Sequence, residues 1–165
     1  MKEQQSKPQS KEVQAEKIIK KYTAGGAGIG LFPLPLVDLV GITALQVKLV
    51  HALALLYEIE FSEQRVKALI AGLIGGGGTV IISPRLAGTL KLLPITAPFS
   101  LFATSALGAM TTYAVGKVFL LHFETGGTLL DFDPHALREY YMNYLSKEEG
   151  TDALDMKRSY VGVKP

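Results

Sequence analysis

The chain has no cysteine and no tryptophan. Without cysteine there are no disulfides, thiolate nucleophiles or thiolate zinc sites, and nothing demands an oxidising compartment. A dominant charge is lacking as well: 17 Lys+Arg against 15 Asp+Glu leave a formal +2. No basic stripe with interleaved aromatics occurs, which argues against nucleic acid as a partner. His51, His122 and His135 show neither H-x3-H nor H-E-x2-H spacing, so no metal is expected. The phosphate-binding glycine motifs fail too. Gly116-Lys117 lacks both the glycine five residues earlier and the following Ser/Thr of a P-loop, and Gly26-Ala27-Gly28-Ile29-Gly30 is not G-x-G-x-x-G. With no titratable cluster for acid-base work and no spacing that suggests a Ser-His-Asp triad, no catalytic residue, no cofactor and no enzyme activity are expected.

What the chain does have is a long stretch without charge. Leu92 to Gly116 is 25 residues with no Asp, Glu, Lys or Arg. As a helix rising about 1.5 Å per residue it is long enough to cross the roughly 30 Å hydrocarbon core of a bilayer. Charge gathers instead at the ends. Residues 1 to 21 carry six lysines and three glutamates, the composition of a solvated arm, and residues 146 to 165 read the same way. The N-terminal arm is not the usual secretory signal, being long and acid-containing, with no small-x-small cleavage site after it. Both termini are therefore expected to face the cytoplasm.

Between the tails, four apolar blocks predict an all-α, membrane-associated fold of helical hairpins with glycine-rich, small-residue packing faces. The expected division is a flexible charged arm over 1–15, a helical module over 16–125, a turn and amphipathic helix over 126–147, and a flexible tail over 148–165. A first helix from about Val13 should stop near Leu31, because Pro33 and Pro35 force an extended turn. A second, about Leu36 to Tyr57, is apolar around most of its circumference. Asp38 sits at its start and is expected to cap it at the positive end of the helix dipole; a proton or ion role is the other reading of an acid at that depth. Tyr22 and Tyr57 bracket this hairpin as an interface belt would.

The third block, Val66 to Ser83, sorts by size. Val66, Leu69, Ile70, Leu73, Val80 and Ile81 share one side, while Ala68, Ala71, Gly72, Gly75 and Thr79 share the other. In the fourth, about Pro98 to His122, the small stripe is Ser105, Gly108, Ala109, Thr112 and Gly116. Gly26-x3-Gly30 and Gly72-x3-Gly76 match the small-x3-small pattern that lets membrane helices approach closely. Gly26, Gly30, Gly72, Gly76, Gly108 and Gly116 are thus the expected packing and oligomerisation positions, a glycine zipper, with the third and fourth blocks packing on each other. Ser62 is a plausible N-cap, Glu124 to Gly127 a turn, and Asp133-Pro134 the start of a terminal helix with Leu137, Tyr140, Tyr141, Tyr144 and Leu145 on its apolar side.

Crossing the bilayer is harder to reconcile with this pattern. The first and third blocks fall short of the ~20 residues needed to span, and Arg85 and Lys91 would face outward in a simple hairpin, against the positive-inside preference. A monotopic or re-entrant arrangement avoids both difficulties.

The run Glu16-Lys17-Ile18-Ile19-Lys20-Lys21-Tyr22, continuing through Gly30-Leu31-Phe32-Pro33-Leu34-Pro35-Leu36-Val37-Asp38 and Thr43-Ala44-Leu45-Gln46-Val47-Lys48, resembles the YcjF-like family of bacterial domains of unknown function. So do Leu56 to Glu63 and Thr112 to Lys117, so that the likeness spans about residues 16 to 125. The resemblance implies an all-helical, membrane-associated module, of a kind often accompanied by or fused to a small GTPase domain, and the bacterial cytoplasmic membrane is its expected location. It transfers no catalytic residue, and its Pro-Leu-Pro-x2-Asp signature falls on Pro33, Pro35 and Asp38 as turn and cap. The expected function is a non-enzymatic, self-associating anchor or scaffold, with membrane lipid, further copies of itself and a GTPase as partners. Two alternatives stand beside it. A small oligomeric channel or transporter would depend on Asp38, and a soluble lipid-binding bundle would purify without detergent.

Overall fold

The computed structural model describes residues 10–29, 35–75, 97–146, 158 and 160–162. Five helices lie within them: α1 Lys11–Ile29, α2 Pro35–Tyr57, α3 Glu63–Gly75, α4 Ala97–Glu124 and α5 Arg138–Ser146. The protein is all-α, and no strand occurs among the described residues.

Helix ends follow from local chemistry. Pro35 occupies the first position of α2, where its missing N–H removes nothing and its fixed φ suits the helix. The helix closes in a Schellman motif: Ile59 N–H donates to Ala54 O at 2.8 Å, and Glu58 takes the left-handed conformation at φ 61°. Ser62 caps α3 through its hydroxyl, which accepts from Arg65 N–H at 3.5 Å. The end of α4 repeats the Schellman pattern with a residue made for it. Gly127 N–H donates to His122 O at 2.9 Å, and Gly126 sits at φ 79° without a Cβ to strain. Asp133 Oδ1 accepts from His135 N–H at 2.8 Å. This opens a turn over 134–137, so the terminal helix starts at Arg138, four residues later than Pro134.

Three helices make the core. α1 and α4 share the most extensive contact, and α2 packs on both. Their register is set by side-chain and backbone neighbours: Glu16 meets Lys117, Ile19 meets Gly116 and Gly26 meets Gly108, so α1 runs antiparallel to α4. Leu49 beside Gly116 and Ile42 beside Gly108 make α2 parallel to α4, and Leu45 against Gly25 completes the triangle. Ile19, Leu49, Leu53, Val115, Val118 and Phe119 are fully buried between them. α3 lays Val66, Ile70 and Leu73 on this core. α5 packs on α4, with Tyr141 buried on the helix and Leu137 buried in the turn just before it.

Two expectations about partners are corrected. The small face of α4 packs on α1 and α2, whereas Gly72 of α3 meets the Pro134 ring, whose Cβ and Cγ would each lie 3.2 Å from an added Cβ. Ala68, Ala71 and Gly75 on the same side of α3 are exposed. Large residues win the core side of α3 because their burial releases more water-exposed apolar area than that of glycine and alanine. Tyr22 and Tyr57 do not form one belt, because antiparallel packing brings Tyr22 to the level of Lys48 and leaves Tyr57 about 13 Å further along α2.

Candidate functional site

The register divides the three-helix core into two ends. Toward Tyr57 and Glu124, the described helices carry ion pairs and aromatic stacks. Toward Ile29, Pro35 and Ala97, no charged residue occurs on α1 after Lys21, none on α4 before Lys117, and only Asp38 on α2 before Lys48.

The charge-free end is built on backbone proximity. A Cβ placed on Gly26 would lie 2.7 Å from Gly108 O and 2.9 Å from Thr112 Oγ1, and one on Gly108 would lie 2.8 Å from Gly26 O. No side chain fits at that crossing, since real Cβ atoms keep more than 3 Å from a carbonyl oxygen. Gly116 is the second close approach, with Ile19 Cγ1 and Leu49 Cδ2 each 3.0 Å from an added Cβ. Gly26, Gly108 and Gly116 are therefore used inside one chain. Thr112 is fully buried and donates its hydroxyl to Gly108 O at 2.7 Å, the usual refuge for a threonine on an apolar helix. Thr23, Gln46 and Thr112 fall at one level of the three helices by this register. Thr23 Oγ1 and Gln46 Nε2 are buried there without a hydrogen-bond partner.

Of the other positions singled out in the sequence, Gly30, Pro33 and Gly76 lie outside the described residues. Pro35 begins α2, and the backbone places Asp38 in the first helical turn, not before it.

The opposite end is organised by His122, which sequence reasoning passed over because it stands alone among apolar neighbours. It is fully buried. Nε2 lies 2.8 Å from Thr128 O and, since a carbonyl only accepts, donates to it; Nδ1 lies 2.6 Å from the Tyr160 hydroxyl. Phe132 stands edge-on to the imidazole at 5.0 Å and stacks on Phe119 at 4.3 Å. Gly127 lies flat against the ring, where a Cβ would collide with Nε2. Burial pushes the Tyr160 phenol up to about 12, so it remains a donor. Asp131 Oδ1 takes the Thr128 N–H and hydroxyl, each at 2.6 Å. Slight burial works to raise that carboxyl, but the Thr128 bonds and nearby His122 outweigh it and hold it at about 2.

Tyr160 belongs to the stretch that composition reads as a solvated tail, yet it is 8% exposed and packs edge-on to Tyr140 at 5.6 Å. Further along α4, Lys117 Nζ meets Glu16 Oε1 at 2.5 Å and lies 5.8 Å from the Tyr144 ring centre. Tyr57 donates to Glu124 at 3.3 Å, and its phenol is pushed well up by burial and by that carboxylate. His51 stacks on Phe61 at 4.2 Å. Among the described residues no three His, Asp or Glu side chains converge in a way that could hold a metal ion.

An all-helical bundle with one end held by named side chains and the other by bare backbone defines the class of protein: a helix-packing module. More particularly, the chain belongs to the family described as domain of unknown function DUF697, whose profile matches residues 2–149. Magnetosome membrane protein 22 of Magnetospirillum gryphiswaldense is similar, 30% identical over 138 residues that cover 81% of this chain and 69% of the relative. No solved structure matches.

Proposed function

We propose that this protein is a non-enzymatic helical membrane module that inserts its charge-free end into one face of the bacterial cytoplasmic membrane and serves there as an anchor or scaffold. The observation that carries the reading is the split along α4. Its described stretch long and apolar enough to cross a membrane, Ala106–Glu124, is 61% buried inside the protein, and the burial is concentrated from Thr112 onward. Before Thr112, Ala106 and Leu107 are exposed, Leu107 by 56%. An apolar surface on a bundle end whose described helices carry no charged residue but Asp38 is favourable in lipid and unfavourable in water. The family and the relative named for a magnetosome membrane support the same assignment.

The charged end then stays in the cytoplasm, with both termini. It would present α3, α5 and the loops to partners, a separately encoded GTPase and further copies of the chain among them. Self-association runs through exposed surface, since Gly26, Gly108 and Gly116 are already occupied. The test is to wash membranes from cells expressing the full chain with alkaline carbonate, then measure the mass of the detergent-extracted protein by light scattering. Retention in the pellet and a mass above the monomer's 17.8 kDa are expected. Release into the supernatant would leave a soluble lipid-binding bundle as the better reading.

A further inference from the structure

The junction between the two ends carries a feature that composition alone does not show. By the register of the core, Lys20 and Lys21 of α1 and Lys48 of α2 come to the level of Tyr113 to Val115 on α4. All three are exposed. Lys20 and Lys21 are the last charged residues of α1, and Lys48 is the charged residue of α2 nearest that end apart from Asp38. The acid nearest that level on the described helices is Glu16, and Lys117 already engages it at 2.5 Å. Tyr22, half-buried at the same level, holds Lys21 Nζ 5.9 Å from its ring centre, an aromatic placed where a membrane interface favours one.

We infer that Lys20, Lys21 and Lys48 form a cationic collar that binds the anionic headgroups of phospholipids and fixes how deeply the module sits. This inference rests on the membrane reading and adds the lipid class to it. The argument is one of charge complementarity and depth. Below the collar the described helices have no lysine or arginine to repel or be desolvated, so insertion proceeds until the ammonium groups reach the phosphate plane. From Lys48 to Pro35 is about 20 Å along α2 at 1.5 Å per residue, about the depth of one leaflet and its headgroups. The collar therefore stops insertion at one leaflet.

The test dilutes the full chain from detergent into vesicles of phosphatidylcholine alone, or of phosphatidylcholine with phosphatidylglycerol, and measures co-flotation across salt concentrations. A lysine near an anionic surface contributes about fivefold in affinity. Wild type is thus expected to prefer the phosphatidylglycerol vesicles by about a hundredfold, falling with salt. K20Q/K21Q/K48Q should lose that preference, K48Q alone about fivefold of it, with phosphatidylcholine binding unchanged in both. K11Q/R65Q/K67Q, which removes three cations at the other end, should keep it. A collar variant with wild-type preference overturns the inference, as does an equal loss in K11Q/R65Q/K67Q. Binding of wild type to both vesicles alike overturns the collar and leaves insertion standing, whereas binding to neither overturns both.

Discussion

The two ends of the bundle solve the same packing problem with opposite materials. At the His122 end, specificity comes from side chains: an imidazole with both nitrogens engaged, stacked phenylalanines and a Glu16–Lys117 pair. At the glycine end it comes from the absence of side chains, because Gly26 and Gly108 bring two backbones together. The first kind of contact is built for water nearby, where polar groups compete well only if fully partnered. The second suits an apolar solvent, in which close backbone approach is a main source of helix association. The difference teaches that the boundary is written across helices. It falls at one level of α1, α2 and α4, not between one element and the next.

The sharpest way to break the comparison is at the crossing. Gly26→Leu or Gly108→Leu forces α1 off α4, since the obstacle is backbone that cannot rotate away. A loss of more than about 3 kcal/mol is expected, read as loss of the folded fraction in detergent melts. Gly28 on the same helix provides the contrast, because nothing lies within 4 Å of an added Cβ there. Gly28→Ala should stabilise by about 0.5–1 kcal/mol through helix propensity alone. If the two glycines behave alike, the crossing is not what holds this end.

Next in size is His122→Leu. It leaves Thr128 O and the Tyr160 hydroxyl without the ring between them, and a loss of about 2–3 kcal/mol is expected. Tyr160→Phe removes only the hydroxyl, for about 1 kcal/mol. Hydrogen exchange should show 158–162 released in both variants while the amides around Gly108 keep their protection. Protection lost at both ends would mean that the bundle has no boundary.

How much of this was legible beforehand depends on which physics wrote each part. Breaks and caps are local, so Ser62, the Gly126–Gly127 turn and the bounds of α2 and α4 could be read to within a few residues. The size sorting on α3 and α4 was legible as well, but not its partners. A stripe of small residues says that something comes close without saying what, and α1 rather than α3 fills the α4 stripe. His122 was illegible for a related reason. Its three neighbours, Thr128, Asp131 and Tyr160, are 6, 9 and 38 positions away, and only the turn at Gly126 and the return of the C-terminal segment assemble them. The collar is likewise a property of register, since Lys20 and Lys48 become neighbours in level only once α1 and α2 are antiparallel.

The smallest effect probes the His122 end through acid. Asp131 is held at about 2, below the usual 3.8 for a free aspartate, so its charged form is favoured by folding. The stability it contributes is present in full above about pH 4 and is lost as pH falls from there through about 2. The group is half exposed, which keeps the effect modest. Asp131→Asn should therefore flatten the acid limb of the stability curve slightly between these values and leave the curve unchanged at neutral pH apart from a constant offset. Since the carboxylate accepts both Thr128 bonds, the variant should also loosen the loop over 128–131, raising hydrogen exchange at Thr128 more than at Gly127, whose amide is held by His122 O. A pH limb unchanged in Asp131→Asn would mean that the Asp131–Thr128 contact does not carry the acid sensitivity of this end.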